Sequence, residues 1–240
     1  QPQIADRIDR ALLALLITIT MALGAQAAVR VHTWHSPILE DYFANTLRSA
    51  PRHAVLLGTG DHRLFGMRYA QAILGVRPDV SYIDPSLLAR PWYLAQARQA
   101  VSAPINPVTA TPEGHSNINT ALLVKQLAAT GRPIALTHAF TPRILHTWPT
   151  WPLGTCLIVH TNPDVAPPGP IEQEQRNLDR FQHLTLRALE HPADPWARDV
   201  LPAYPRPWLH LAQAFTAMND PEGAARNSQR AQELIQRSEE

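Results

Sequence analysis

The chain of 240 residues contains one cysteine, one lysine and ten glycines. The lone Cys156 excludes an intrachain disulfide and Cys-x-x-Cys-His haem attachment, so stability must come from packing. An excess of charge of one sign is also missing. Lysine and arginine total 21 against 20 acidic residues, a net charge of +1, which leaves no basic face for nucleic acid. Lys125 is the single lysine beside twenty arginines, a bias that reflects a GC-rich coding sequence rather than a function. No Gly-x-Ser-x-Gly elbow is present, and Gly58-Thr59-Gly60 lacks the further glycine and lysine of a phosphate-binding loop. No cofactor is implied by any motif.

Long apolar runs are absent except one, residues 11–29, nineteen residues without charge between Arg10 and Arg30. At ~1.5 Å rise per residue such a run spans about 28 Å, close to the ~30 Å bilayer core. A single transmembrane helix over 1–30, with a short cytoplasmic stub, is therefore expected. Two other readings stand beside it. Arg7 and Arg10, the apolar stretch and Ala25-Gln26-Ala27 also make a secretory signal peptide cut near Ala27. A buried core helix is the third, since Thr18, Thr20 and Gln26 dilute the apolarity. Arg7 and Arg10 before the run, against Arg30 after it, favour a large domain outside the cytoplasm. Gln1 in place of an initiator Met points to a processed product or to the tail of something longer.

Beyond Arg30 the chain reads as an α/β domain over 31–161. A short amphipathic helix is expected at Leu39–Leu47, stopped by Pro51. The apolar run Ala54–Gly58 reads as a strand buried on both faces, followed by a helix over Phe65–Leu74 closed by Gly75. A strand at Val80–Ile83 and a helix at Leu87–Val101, breakable at Pro91, follow. Residues 102–114 read as a loop, Asn117–Thr130 as a helix, and Ile134–Thr137 and Leu153–His160 as strands. Pro142, Pro149 and Pro152 preclude long regular structure between those two strands. This alternation predicts a mostly parallel sheet with flanking helices. Residues 162–170 form a Pro-rich linker, and 171–240 a helical extension with helices at Ile171–Glu190, Pro207–Met218 and Pro221–Arg237. Trp208, Leu211, Ala212 and Phe215, then Ala224, Ala231 and Leu234, predict a tetratricopeptide-like hairpin that packs on the α/β body or on a partner.

The segment Ala54–Gln96 carries a resemblance. It has an apolar strand ending in Gly60-Asp61, a helix with Tyr69-Ala70-Gln71, then Gly75-Val-Arg-Pro-Asp-Val80, Ser86-Leu-Leu88 and Trp92-Tyr93. It resembles the soluble C-terminal region of bacterial polytopic membrane proteins related to the protein O-mannosyltransferase-like glycosyltransferases of the GT-C type. Arg132–Thr137, Pro152–Gly154 and the C-terminal helices look like later parts of the same region. The resemblance implies a domain on the periplasmic side of a bacterial inner membrane, beside lipid and other membrane-protein subunits, with a glycan as possible ligand. Where that family has Gly-Asp-Asn-Asp, this chain has Gly60-Asp61-His62-Arg63. The family's transfer carboxylates lie among membrane helices that this chain does not contain, so the resemblance implies no catalytic residue here.

Ligands of an open parallel sheet bind beyond the strands' carboxyl ends. Asp61, His62, Asp84 and His138 occupy such ends and are candidate ligand-binding residues. The alternative is that strand-end Asp residues cap the next helix. His32 and His35, at i and i+3, are weak metal candidates without a nearby third ligand. Trp148, Trp151, Trp208 and Phe215 are candidate protein-contact residues, or else core residues. The expected function is a membrane-anchored, non-catalytic docking or assembly domain. The alternatives are a carbohydrate-binding or glycosyl-transfer-related lobe and a secreted protein.

Overall fold

The computed structural model describes residues 2–34, 37–110, 116–137, 148–162, 164–190 and 194–239, with side chains in the first helix over 12–28. The chain divides into two compact units, Gln1–Pro37 and Ile38–Glu240.

The first unit is helix α1 (Pro2–Trp34). Every described side chain from Leu12 to Ala28 is exposed, Leu12, Leu16, Ile17, Met21 and Leu23 among them. Thr18 and Thr20 donate their hydroxyls to the carbonyls of Ala14 and Leu16 at 2.8 Å, which returns both polar groups to the helix's own backbone. Among the described residues no helix is long and apolar enough to cross a membrane, so the spanning helix expected over 11–29 is not supported.

The second unit is mixed α/β. Its main sheet has the order β2–β1–β5–β7–β6, from β1 (Val55–Leu57), β2 (Ser81–Ile83), β5 (Ile134–Thr137), β6 (Thr150–Leu153) and β7 (Cys156–Val159). A separate antiparallel pair joins β3 (Val108–Ala110) to β4 (Ser116–Ile118), within and beyond the stretch expected to be loop. In the main sheet β1 pairs in parallel with β2 and β5, whereas β7 pairs antiparallel with β5 and β6. The sheet is thus mixed rather than mostly parallel. The prolines before Leu153 did not prevent a strand: Pro152 sits in β6, at the sheet edge, where a missing N–H costs no ladder bond. The strand expected over Leu153–His160 is the end of β6, a turn and β7.

Helices cover both faces. Leu56, Tyr82, Ala135 and Ile158 stand in one cross-strand row. They pack with Tyr42, Phe43 and Leu47 of α2 (Ile38–Ser49) and Met67 and Ala70 of α3 (Asp61–Ala72). Val55, Leu57, Ile83, Ile134 and Leu136 point the other way. They meet Tyr93, Ala97 and Val101 of α4 (Pro91–Val101) and Leu123, Val124 and Leu127 of α5 (Thr120–Ala128). Burying each large side chain contributes about 1.5–3 kcal/mol. Pro91 opens α4 as its first residue instead of interrupting a longer helix, because its fixed φ and missing N–H suit that position. A short 3-10 turn, Pro85–Leu87, precedes it. Asn119 caps α5 by accepting from the N–H of Leu122 at 2.9 Å.

The remaining helices are α6 (Pro170–Phe181), α7 (Ala197–Val200), α8 (Arg206–Ala217) and α9 (Pro221–Arg237). The helix expected over Ile171–Glu190 ends at Phe181, and a separate 3-10 turn covers Arg187–Glu190. Trp208, Leu211, Phe215 and Ala231 form the buried seam of the α8–α9 hairpin. Glu174 of α6, buried, accepts from Arg226 through two 2.9 Å bonds, from Asn227, and from Arg230. Those arginines hold its carboxyl below the usual range.

The stretch Gly75–Val80 is a clamp. All five N–H donors of Arg77 are engaged: Nε and Nη2 reach the two Asp79 oxygens at 2.7 and 2.9 Å. Its Nη1 and Nη2 also reach the carbonyls of Leu47, Ala50 and Pro51, at the end of α2, at 3.3, 2.8 and 2.7 Å. Asp79 accepts in addition from the His53 N–H at 2.8 Å. The Arg77 side chain holds the Asp79 carboxyl well below the ordinary carboxylate range. This motif is therefore a helix C-terminal cap built from tertiary contacts.

Candidate functional site at the sheet's carboxyl edge

Strands β1, β2 and β5 run in parallel, so Leu57, Ile83 and Thr137 end on one edge of the sheet. From β1 the chain passes through Gly58-Thr59-Gly60 into α3. Gly58 has no room for a side chain. A Cβ there would stand 2.8 Å from the Tyr82 hydroxyl, and 2.8 and 2.9 Å from Cγ2 and Oγ1 of Thr137. Gly60 has φ +107, a conformation open to glycine and strained for other residues. A Cβ on Gly60 would lie 3.1 Å from the His62 ring and 3.4 Å from Nη1 of Arg63. Two glycines thus draw Tyr82, Thr137, His62 and Arg63 around one backbone turn.

The polar atoms here are unusual. Seven buried side-chain polar atoms have no hydrogen-bond partner among the described residues, and four belong to this edge: His62 Nε2, Arg63 Nε, the Tyr82 hydroxyl and the Thr137 hydroxyl. Arg63 is 8% exposed; its Nη1 donates to the Thr59 carbonyl at 3.0 Å, and its side chain also bonds the Tyr42 hydroxyl. Leaving a buried donor unmade costs about 1–3 kcal/mol, more when it is charged. This concentration among the described residues makes the edge the candidate site. Burial pushes the Tyr82 phenol up, and the nearby Asp84 charge pushes it the same way. Tyr42, pushed up to about 12 by burial, also faces Arg63. Both phenols are neutral donors. The His62 ring stacks on Trp196 with centroids 5.0 Å apart. Burial, and then the Arg63 charge, lower its pKa, which favours neutral imidazole.

The four residues proposed from the strand ends fare differently. Asp61 is exposed in the first turn of α3, and Gly60, not Asp61, occupies the cap position. Its carboxylate complements the helix's positive end. Asp84 is buried and engaged: Oδ2 accepts from Gly60 N–H at 3.1 Å, and Oδ1 from the N–H and hydroxyl of Ser86 at 2.9 and 2.6 Å. Its own N–H donates to the Tyr93 hydroxyl at 2.8 Å. Asp84 caps the 3-10 turn and ties the Gly60 loop to β2, as the alternative reading had it. His62 does reach the edge. His138 lies outside the described residues, as do the side chain of His32 and residue His35. Among the described residues no group of three metal-ligating side chains occurs.

Arg63, Tyr82 and Thr137 were not among the candidates read from the sequence. Arg63 was visible in the sequence as a basic residue directly after Asp61-His62. Tyr82 and Thr137 looked like strand core, and only the fold turns their hydroxyls toward Gly58. The four aromatic contact candidates are not a free surface. Trp151, Trp208 and Phe215 are buried, with the guanidinium groups of Arg176, Arg230 and Arg226 over their rings at 5.3, 5.2 and 5.8 Å. Trp148 is half-buried against the α4–α5 face of the sheet. Their apolar area is already covered by this chain, which is why they do not present a docking face. Cys156 is inert as well, its thiol buried and pushed up to about 12.

Residues 39–144, which include this edge, match the family model of the TMEM260-associated domain 2. The chain is related to O-mannosyltransferase-like proteins. It is 35% identical over 57 residues to the protein O-mannosyl-transferase TMEM260 of Mus musculus. That stretch is 24% of this chain and 8% of the mouse protein. No solved structure matches.

Proposed function

We propose that this chain is a non-catalytic, extracytoplasmic lobe of a glycosyltransferase-related membrane protein or assembly, and that its sheet edge binds an oxygen-rich ligand of glycan type. The observation that carries the proposal is the set of four buried polar atoms around Gly58 and Gly60 that have no partner among the described residues, inside the segment that matches the family model. Tyr82, Thr137, Arg63 and His62 offer hydrogen bonds of the kind that sugar hydroxyls or a negatively charged sugar substituent would complete. Binding rather than turnover is favoured by the carboxylates. Acid–base chemistry at a sugar needs a positioned, free carboxyl group, whereas Asp84 is engaged three times and Asp61 faces water. Helix α1 belongs to the same reading. Its described apolar stretch is exposed throughout, and an all-round apolar helix calls for lipid or other helices as its surroundings.

The test is calorimetric titration of the full chain with mannosides and short manno-oligosaccharides. Saturable binding that Arg63→Met removes, with the circular dichroism melt preserved, is the expected result. No heat from any saccharide with a folded chain would overturn the proposal. For α1, the full chain is expected to co-sediment with phosphatidylcholine vesicles, and absence of co-sedimentation would sink that part.

A further inference from the structure

On a separate face, a cleft of about 570 Å³ opens beside the ends of α2 and α6, lined by Arg52, Arg77, Arg176, Arg180 and His183, with Asp179 the acidic residue of the lining. Two nearby acids, Asp79 and Glu172, are ion-paired, whereas Asp179 accepts only from a neutral amide and keeps its charge. Asp79 is held by Arg77 and the His53 N–H, Glu172 by Arg176, and Asp179 accepts from Gln175 at 2.9 Å. Arg77, with every donor engaged and its charge matched by Asp79, supplies no free hydrogen bond to the cleft. Arg180 is different. It donates through Nη1 to the Arg48 carbonyl at 2.6 Å and has no acidic partner among the described residues. Burial and the facing Arg77 both disfavour its charged form. Arg52 and His183 stand exposed at the rim.

A half-buried guanidinium that faces another guanidinium and lacks a counter-ion is stabilised by an anion in the space between them. The structure assigns this cleft as a binding site for a phosphate group, held by Arg180 from within and by Arg52 and His183 from the rim. Planar guanidinium donors match phosphate oxygens in pairs, and two or three such residues suffice for one headgroup or one pyrophosphate. The site is distinct from the sheet edge and requires nothing of it.

The experiment uses the full chain with pyrophosphate, followed by titration calorimetry and thermal melting. Saturable binding and a raised Tm are expected. Arg52→Gln and Arg180→Gln are each expected to weaken binding about tenfold, the loss of a charge-assisted hydrogen bond, while Arg63→Met leaves it unchanged. Because Arg180 also supports the backbone, Arg52→Gln, an exposed position, keeps the test valid if Arg180→Gln unfolds. Vesicles of phosphatidylcholine alone, and of phosphatidylcholine with phosphatidic acid in equal parts, separate a lipid headgroup from a soluble phosphate ester. Binding in either arm, weakened by Arg52→Gln, supports the site. Absence of binding in both arms, or binding that both Gln variants leave intact, or a response matched by sodium chloride at equal ionic strength, overturns it.

Discussion

Arg77 and Arg63 both lie in the segment that matches the TMEM260-associated domain, each within or just after α3, and each reaches back to backbone carbonyls. At Arg77 all five donors are satisfied and its acid partner Asp79 accepts a third bond from His53. At Arg63 the side chain bonds Thr59 and Tyr42, whereas its Nε and the Tyr82 and Thr137 hydroxyls have no partner among the described residues. A completed polar cluster rigidifies the fold; an incomplete one stores the cost of missing bonds until something supplies them. The comparison separates two roles that look alike as sequence: polar residues that shape the domain, and polar residues that await a partner.

The largest expected effect comes from breaking the completed cluster. Arg77→Met leaves the carbonyls at the end of α2 without their donor and Asp79 with the His53 N–H alone, and is expected to cost about 3 kcal/mol in urea unfolding, with Arg77→Lys failing to restore the paired geometry. Asp79→Asn tests the same cluster by pH. The Asp79 carboxyl is lowered in the folded state, so its contribution is present above the ordinary carboxyl pKa and is lost as pH falls through the folded value. The Asn variant is expected to be less stable at neutral pH and to lose less stability on acidification. Equal slopes would show that Arg77 does not depend on that charge.

Smaller effects are expected at the incomplete cluster. Gly58→Ala drives a methyl to 2.8 Å from Tyr82 and Thr137 and is expected to cost about 1–3 kcal/mol and to abolish saccharide binding. The smallest change is the most telling. Tyr82→Phe and Thr137→Val remove hydroxyls with no partner among the described residues, so stability is expected to stay within about 1 kcal/mol or to rise, while ligand binding falls. A stability loss of the Arg77 kind in these variants would mean that the edge is structural after all.

Much of the fold was legible in the sequence because short-range physics sets it. The apolar runs at 54–58 and 134–137 are strands, Gly75 follows α3, and α9 runs from Pro221 to Arg237, as expected from its Asp220-Pro221 start. The hairpin of β6 and β7 was not legible, because an edge position alone makes Pro152 acceptable in a strand. Nor was the parallel count, since strand direction depends on which edge a strand joins. At the site, Gly58, Gly60 and His62 were visible from their place after β1, while Tyr82 and Thr137 were hidden in strand patterns. Asp84 was visible as a strand-end acid, but which of its two readings applied depended on Ser86 and Gly60 meeting its oxygens.

The sequence by itself determined the apolar character of 11–29, the absence of disulfide and haem chemistry, the strand–helix rhythm and the resemblance carried by Gly75–Val80 and Trp92-Tyr93. These depend on composition and neighbouring residues alone. Tertiary structure decided which polar groups are satisfied. It turned the most distinctive motif into a clamp on α2, placed Trp208 and Phe215 in a buried seam, and left Arg63, Tyr82 and Thr137 incomplete at one edge. Hydrogen-bond completion is a property of groups distant in sequence, so it exists only once the chain has folded.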